Sequence, residues 1–138
     1  MASDAELSTS PGGPRIRVLV VDDHPMMRLA LKRVLGDVAD IEVVAEAADG
    51  AEALEQVGQC HPDVIIMDAV MGKMDGVEAT RRLHEDSPEI AVLGLTFDDG
   101  KFEELLAAGA KACVLKSELT PERLGSAIRE AAAAVHRH

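Results

Sequence analysis

The sequence predicts an α/β domain with a doubly wound parallel sheet, on three observations. Five short runs rich in Val and Ile recur along the chain, and several are apolar almost throughout, as strands covered on both faces require. Segments with helical spacing separate them, and this strict alternation favours a parallel sheet with crossover helices. Four of the five runs end on a side chain able to do chemistry, which places those side chains together at one edge of such a sheet.

The elements follow in order. "IRVLVV" (16–21) is the first strand, and Pro25 then suits the first position of a helix whose Met27, Leu31, Val34 and Leu35 share a face. "IEVVAEA" (41–47) is the second strand, and "ADG" (48–50) reads as a turn into the second helix. "DVIIMD" (63–68) and "IAVLGLT" (90–96) are the third and fourth strands, the latter followed by a helix with Phe102, Leu105 and Leu106 on one face. "KACVLK" (111–116) is the fifth. Thr120 is a suitable N-cap before Pro121, and Leu124, Ile128, Ala131 and Val135 give the last helix its apolar stripe. Residues 1–15, "MASDAELSTSPGGPR", carry Ser, Pro and Gly without an apolar period and are expected to form a flexible tail; the domain runs from Ile16 to residue 138.

The 138 residues suffice for one domain with a hydrophobic core of its own. The formal net charge of −11 argues against nucleic acid or an anionic membrane as a direct partner and favours cations and basic partners. No apolar run approaches the roughly 18 residues of a membrane span, and the N-terminus has no signal pattern, so a cytoplasmic location is expected. Cys60 and Cys113 form no CxxC pair and are expected to be free thiols.

Asp22 and Asp23 stand at the end of the first strand, Asp68 at the end of the third, Thr96 of the fourth and Lys116 of the fifth. Carboxylates packed together repel, and one takes up a proton unless a cation holds them. Mg2+ suits the set, as a hard ion that takes oxygen ligands and commonly pairs one or two carboxylates with a phosphate. A nucleotide or flavin binder of the same element order needs a Gly, Ser or Thr-rich first loop, and "DDHP" offers negative charge there instead. A metal beside a carboxylate, a hydroxyl and an ammonium is the equipment of acyl-phosphate chemistry, with Asp68, alone at its strand end, as the nucleophile.

Taken singly, these residues have plainer readings. One Asp can cap a helix, a Lys is usually solvated, His24 reads as a loop residue, and Lys73 and Lys101 read as surface charges. Met26, Met27, Met67, Met71 and Met74 read as packing. The convergence of four strand ends on one chemistry is what the plainer readings do not reproduce.

"LVVDDHP", "VIIMDAVMGKMDG", "VLGLT" and "AAGAKACVLKS" resemble, in order and spacing, the landmarks of the receiver domain of bacterial two-component response regulators. "DIEVVAEAADGAEAL" further resembles the subfamily that usually carries a C-terminal LuxR-type helix-turn-helix domain. The resemblance implies a flavodoxin-like (βα)5 fold with strand order 2-1-3-4-5. It implies Asp68 as phosphoacceptor, Asp23 as direct Mg2+ ligand, Asp22 as a ligand through water, and the Val70 carbonyl as a further ligand. Thr96 and Lys116 would then contact the phosphoryl group. The implied function is a switch that takes a phosphoryl group from a sensor histidine kinase, assists its own phosphotransfer and dephosphorylation, can form a homodimer, and controls transcription through a DNA-binding domain absent from this chain.

Three positions depart from the family pattern. Met71 is followed by Gly72 and Lys73 where Met-Pro is usual, which predicts a looser loop. Cys113 stands where an aromatic switch residue is usual, and Phe97, directly after Thr96, is the only nearby candidate to substitute. Ser117 replaces a proline that is often cis. The first two departures motivate the rival reading, a pseudo-receiver that signals by binding without phosphorylation. A dehalogenase-like phosphotransferase needs a DxD pair, which "DDH" is not.

Overall fold

A computed structural model of the chain describes residues 15–72 and 74–136. The expected tail, apart from Arg15, and Lys73 lie outside the described residues.

The β-branched runs form five strands: β1 Ile16–Val21, β2 Ile41–Ala47, β3 Val64–Asp68, β4 Ala91–Thr96 and β5 Ala112–Leu115. All neighbours are parallel and the order is β2-β1-β3-β4-β5, so β3 is the middle strand. The last three strands begin one residue later than the apolar runs suggest. Lys116 also falls outside β5 and opens a 3-10 turn, Lys116–Glu118.

Five α-helices alternate with the strands: α1 Pro25–Gly36, α2 Gly50–Cys60, α3 Gly76–Asp86, α4 Phe102–Ala108 and α5 Pro121–His136. Their starts follow local chemistry. Pro25 opens α1, where a missing N–H costs nothing. Asp49 and Asp75 cap α2 and α3 by accepting from the N–H groups of Glu52 and Glu78, each at 2.9 Å. Thr120 Oγ1 accepts from the Arg123 N–H at 3.1 Å ahead of α5. Gly109, at φ 120°, ends α4 in a left-handed conformation that a Cβ would strain.

Successive strand residues feed opposite faces. Val18, Val20, Ile66, Leu93 and Leu95 pack with Leu31 and Leu35 of α1 and Leu124, Ile128 and Ala131 of α5. Leu19, Val21, Ile65, Met67 and Val92 pack with Ala53 of α2, Ala79 and Leu83 of α3 and Leu105 of α4. Both faces are therefore covered, which is why the strands read as nearly continuous apolar runs. Two packing expectations fail. Leu106 is half exposed because α4 has only two turns, and Met26 projects to solvent from the first turn of α1.

Candidate functional site

Parallel pairing carries the strand ends to one edge. Asp22 continues the ladder past β1, its N–H donating to Ala47 O at 3.1 Å, and Asp68 ends β3 as the Ala69 N–H bonds Leu95 O at 2.9 Å. Asp22, Asp68, Thr96 and Lys116 are all buried, while Asp23 is half exposed. Lys116 Nζ lies 2.8 Å from Asp22 Oδ2 and 3.3 Å from Asp68 Oδ1. It also stands 5.3 Å from the centre of the Phe97 ring, which is itself 71% exposed.

The charges at this edge are not balanced. Asp68 Oδ1 has the Val70 N–H at 3.3 Å besides the lysine, whereas Asp68 Oδ2 is buried without a hydrogen-bond partner. Asp22 Oδ2 meets Lys116 as an ion pair without the alignment of a hydrogen bond. Burial, and then the Asp22 charge, hold the Asp68 carboxyl above the usual aspartate range, and Lys116 only partly opposes them.

A cleft of about 260 Å³ opens over Asp68, with His24, Val70, Thr96, Phe97, Asp98, Lys101 and Lys116 on its walls. Thr96 Oγ1 accepts from the Asp98 N–H at 3.1 Å. Lys101, expected to be a surface charge, reaches this cleft and pairs with Glu104 at 3.4 Å. A wider hollow of about 470 Å³ lies between the loop before β2 and α5, but its Arg129 and Asp40 already bond each other at 2.8 and 3.0 Å. That hollow holds no buried carboxylate, whereas the smaller cleft opens over Asp68.

Three contributors carried no recognised signal in the sequence. Gly76 opens α3 so close under Asp68 that a Cβ there would lie 1.9 Å from the Asp68 carbonyl oxygen. Arg28, one turn into α1, donates from Nη1 to the Asp22 carbonyl at 2.6 Å and from Nε to Glu46 Oε1 at 2.8 Å. Lys32 joins the same carboxylate, and together these cations hold Glu46 below the usual glutamate range, Lys32 most strongly. His24, read as a loop residue, is the N-cap of α1, with Nδ1 3.1 Å from Asp22 Oδ1 and 3.0 Å from Asp23 Oδ1. The glycine was visible in "MDG", but its closeness to a backbone carbonyl has no sequence signature, and neither does a guanidinium bound to one.

One atom from each of Asp22, Asp23, His24 and Asp68 lies within 4.8 Å of the others. A buried carboxylate oxygen without a partner, in a cluster of three carboxylates of which Lys116 meets only two, fits a divalent cation with oxygen ligands.

Residues 18–129 match the family model for the response regulator receiver domain. The chain belongs to that family. It is 43% identical over 118 residues to the transcriptional regulatory protein LiaR of Bacillus subtilis, covering 84% of this chain and 56% of that one. It is 44% identical over 104 residues to the response regulator protein VraR of Staphylococcus aureus, covering 74% and 50%. The receiver thus spans about half the length of the curated relatives it matches. Among solved structures, a LuxR-family two-component response regulator from Aurantimonas aligns with TM-score 0.80 at 32% identity over 87% of this chain and 86% of that one. The response regulator domain of Thermotoga maritima CheB aligns with TM-score 0.78 at 33% identity over 86% and 96%. These matches bear out the flavodoxin-like fold with order 2-1-3-4-5 and the kinship with LuxR-type regulators. Receiver domains are phosphorylation switches of two-component systems and generally bind Mg2+ at an acidic pocket. Among the described residues no helix is long and apolar enough to cross a membrane.

The Cys113 side chain is half buried, near the β4 backbone at Gly94 and the Leu105 side chain. Burial pushes its thiol up to about 11, so it is a packing group and a poor nucleophile at neutral pH. No cis peptide occurs among the described residues, Ser117 included.

Proposed function

We propose that this receiver accepts a phosphoryl group onto Asp68 from the phosphohistidine of a sensor histidine kinase. The observation that carries the reading is Asp68 Oδ2: buried at the tip of the middle strand, without a hydrogen-bond partner, and on the wall of an open cleft. An Asp68 carboxylate oxygen attacks phosphorus; the bond from phosphorus to the donor nitrogen breaks, and its electron pair leaves with the imidazole. Lys116, already 3.3 Å from Asp68, and the Thr96 hydroxyl then face the phosphoryl oxygens. Asp22, Asp23, Asp68 and the backbone carbonyl of Val70 are the groups to hold Mg2+, which when bound supplies positive charge against the donor phosphate.

The new acyl phosphate adds charge where Lys116 had balanced Asp22 and Asp68. Lys116 and Thr96 are drawn to it, and β4, β5 and the α4 surface beside them carry the change outward. With Cys113 in place of an aromatic side chain, Phe97 is the ring in contact with this lysine. The output is a homodimer or a rearranged contact with a DNA-binding domain in a longer chain, in keeping with the LuxR-type relatives. The domain works in the cytoplasm, where its kinase presents the phosphohistidine.

Incubation with Mg2+ and acetyl phosphate, followed by intact mass and oligomeric state, tests the reading. A Mg2+-dependent gain of one phosphoryl group in wild type, absent from Asp68→Asn, is expected. No adduct, together with no cation binding, would establish the pseudo-receiver instead.

A further inference from the structure

We propose that the His24 imidazole is an additional ligand of the acidic site, and that this receiver therefore takes a first-row transition cation such as Mn2+ in preference to Mg2+. The inference rests on the reading of Asp22, Asp23 and Asp68 as a cation site. His24 occupies the N-cap of α1, yet its side chain caps no helix N–H. Its Nδ1 instead turns to Asp22 Oδ1 and Asp23 Oδ1, at 3.1 and 3.0 Å. Three atoms with lone pairs converge there, and either a hydrogen on Nδ1 or a metal ion has to sit among them.

The spacing suits a metal. Neighbouring ligands of a six-coordinate ion with bonds of about 2.1 Å stand about 3 Å apart. The Asp68 carboxylate lies within the same 4.8 Å cluster, and its unpartnered, buried Oδ2 shows that the protein's own donors do not satisfy the site. Lys116 takes Asp22 Oδ2 from the interior, which leaves Asp22 Oδ1, Asp23 and the ring on the open side. The His24 backbone is fixed, because its N–H donates to Asp22 Oδ1 at 2.9 Å and its carbonyl accepts from Met27 and Arg28 at 3.0 and 3.1 Å. The ring itself is 69% exposed and free to turn onto an ion. An imidazole nitrogen raises affinity along the series from Mn2+ to Ni2+, whereas Mg2+ prefers oxygen and water. The ring thereby shifts selectivity without changing the carboxylates.

The test is calorimetric titration of the full chain, wild type and His24→Asn, with Mg2+ and with Mn2+. Pulsed electron paramagnetic resonance of the Mn2+-loaded proteins accompanies it, to detect nitrogen coupled to the metal. Asn remains a good N-cap, so α1 is retained. The expected result is nitrogen coupling in wild type that disappears in His24→Asn, with the Mn2+ over Mg2+ preference falling at least about tenfold, the size of effect seen when even an outer partner of a metal site is removed. Coupling that survives in His24→Asn, or an unchanged preference with both ions still bound, overturns the role of His24 and leaves the acidic site standing. Failure of wild type to bind either ion overturns both.

Discussion

Strand β3 is bracketed by two aspartates that the fold treats in opposite ways. Asp63, at its amino end, is bound through side chain and backbone: Oδ2 accepts the Arg17 N–H at 2.9 Å, its own N–H donates to Arg17 O at 2.8 Å, and its carbonyl accepts from Ala91 at 3.0 Å. It stitches β1 and β4 to the start of the middle strand. Asp68, at the carboxyl end, is buried with one oxygen unpaired and a second carboxylate beside it. The chain's own groups thus hold the amino edge, while at the carboxyl edge they leave a buried carboxylate oxygen without a partner. On the proposed function, stability and chemistry occupy opposite ends of one strand, and substitutions at the two ends should separate them.

The largest contrast is Asp68→Asn. It should abolish the acyl-phosphate adduct and, without divalent cations, raise the melting temperature at neutral pH by a few degrees, about 1 kcal/mol. The sign follows from burial. The folded state holds the Asp68 proton more tightly than the unfolded chain, whose group titrates near 3.8, so this residue costs stability as pH rises through the window above that value. The advantage of the Asn variant should therefore be largest above the folded-state pKa and fade as pH falls to about 3.8. Saturating Mg2+ should return much of the stability to wild type and little to the variant. A variant no more stable than wild type at pH 7 would mean that Lys116 already offsets the burial.

Gly76→Ala comes next. A Cβ 1.9 Å from the Asp68 carbonyl cannot be accommodated without moving the end of β3 or the start of α3. A loss of about 1–3 kcal/mol in denaturant unfolding is expected, together with slower phosphorylation. A displaced strand end affects both, and loss of stability with an unchanged rate would show that the backbone at Asp68 had not moved. Asp63→Ala should cost about 1 kcal/mol through the lost hydrogen bond to Arg17 and leave the phosphorylation rate as it is. A changed rate there would break the division between the two edges.

The same division explains what could be read from the sequence. β1 and β2 coincide with their apolar runs and the other strands fall within one residue, because a strand covered on both faces leaves a compositional mark. The starts of α1 and α5 were equally legible, since Pro25, Thr120 and Pro121 act through local geometry. Asp22, Asp68, Thr96 and Lys116 could be grouped because each ends a strand or directly follows one, and parallel topology does the rest. The contribution of Gly76 and the Arg28 bond to the Asp22 carbonyl were not legible, as both depend on a backbone atom whose position only the folded chain defines. The exposure of Leu106 was missed for a related reason: its periodicity was sound, but a helix of two turns has too little length to bury the whole stripe.

The smallest effect is expected at Phe97, where the carboxyl edge meets solvent. Its ring is the weakest of three partners of Lys116, behind Asp22 and Asp68, so Phe97→Ala should change stability by no more than about 1 kcal/mol. The ring also stands on the wall of the cleft above Asp68, where its apolar bulk limits the approach of water. Phe97→Ala should therefore shorten the half-life of the acyl phosphate severalfold, and Phe97→Leu, which keeps bulk without a π face, should restore most of it. If both variants lose the half-life equally, the cation–π contact and not the bulk is what matters, and Phe97 acts by holding Lys116. In either case the stability change should not exceed that of Asp63→Ala, because the carboxyl edge is held by the sheet beneath it and not by the groups that face the cleft.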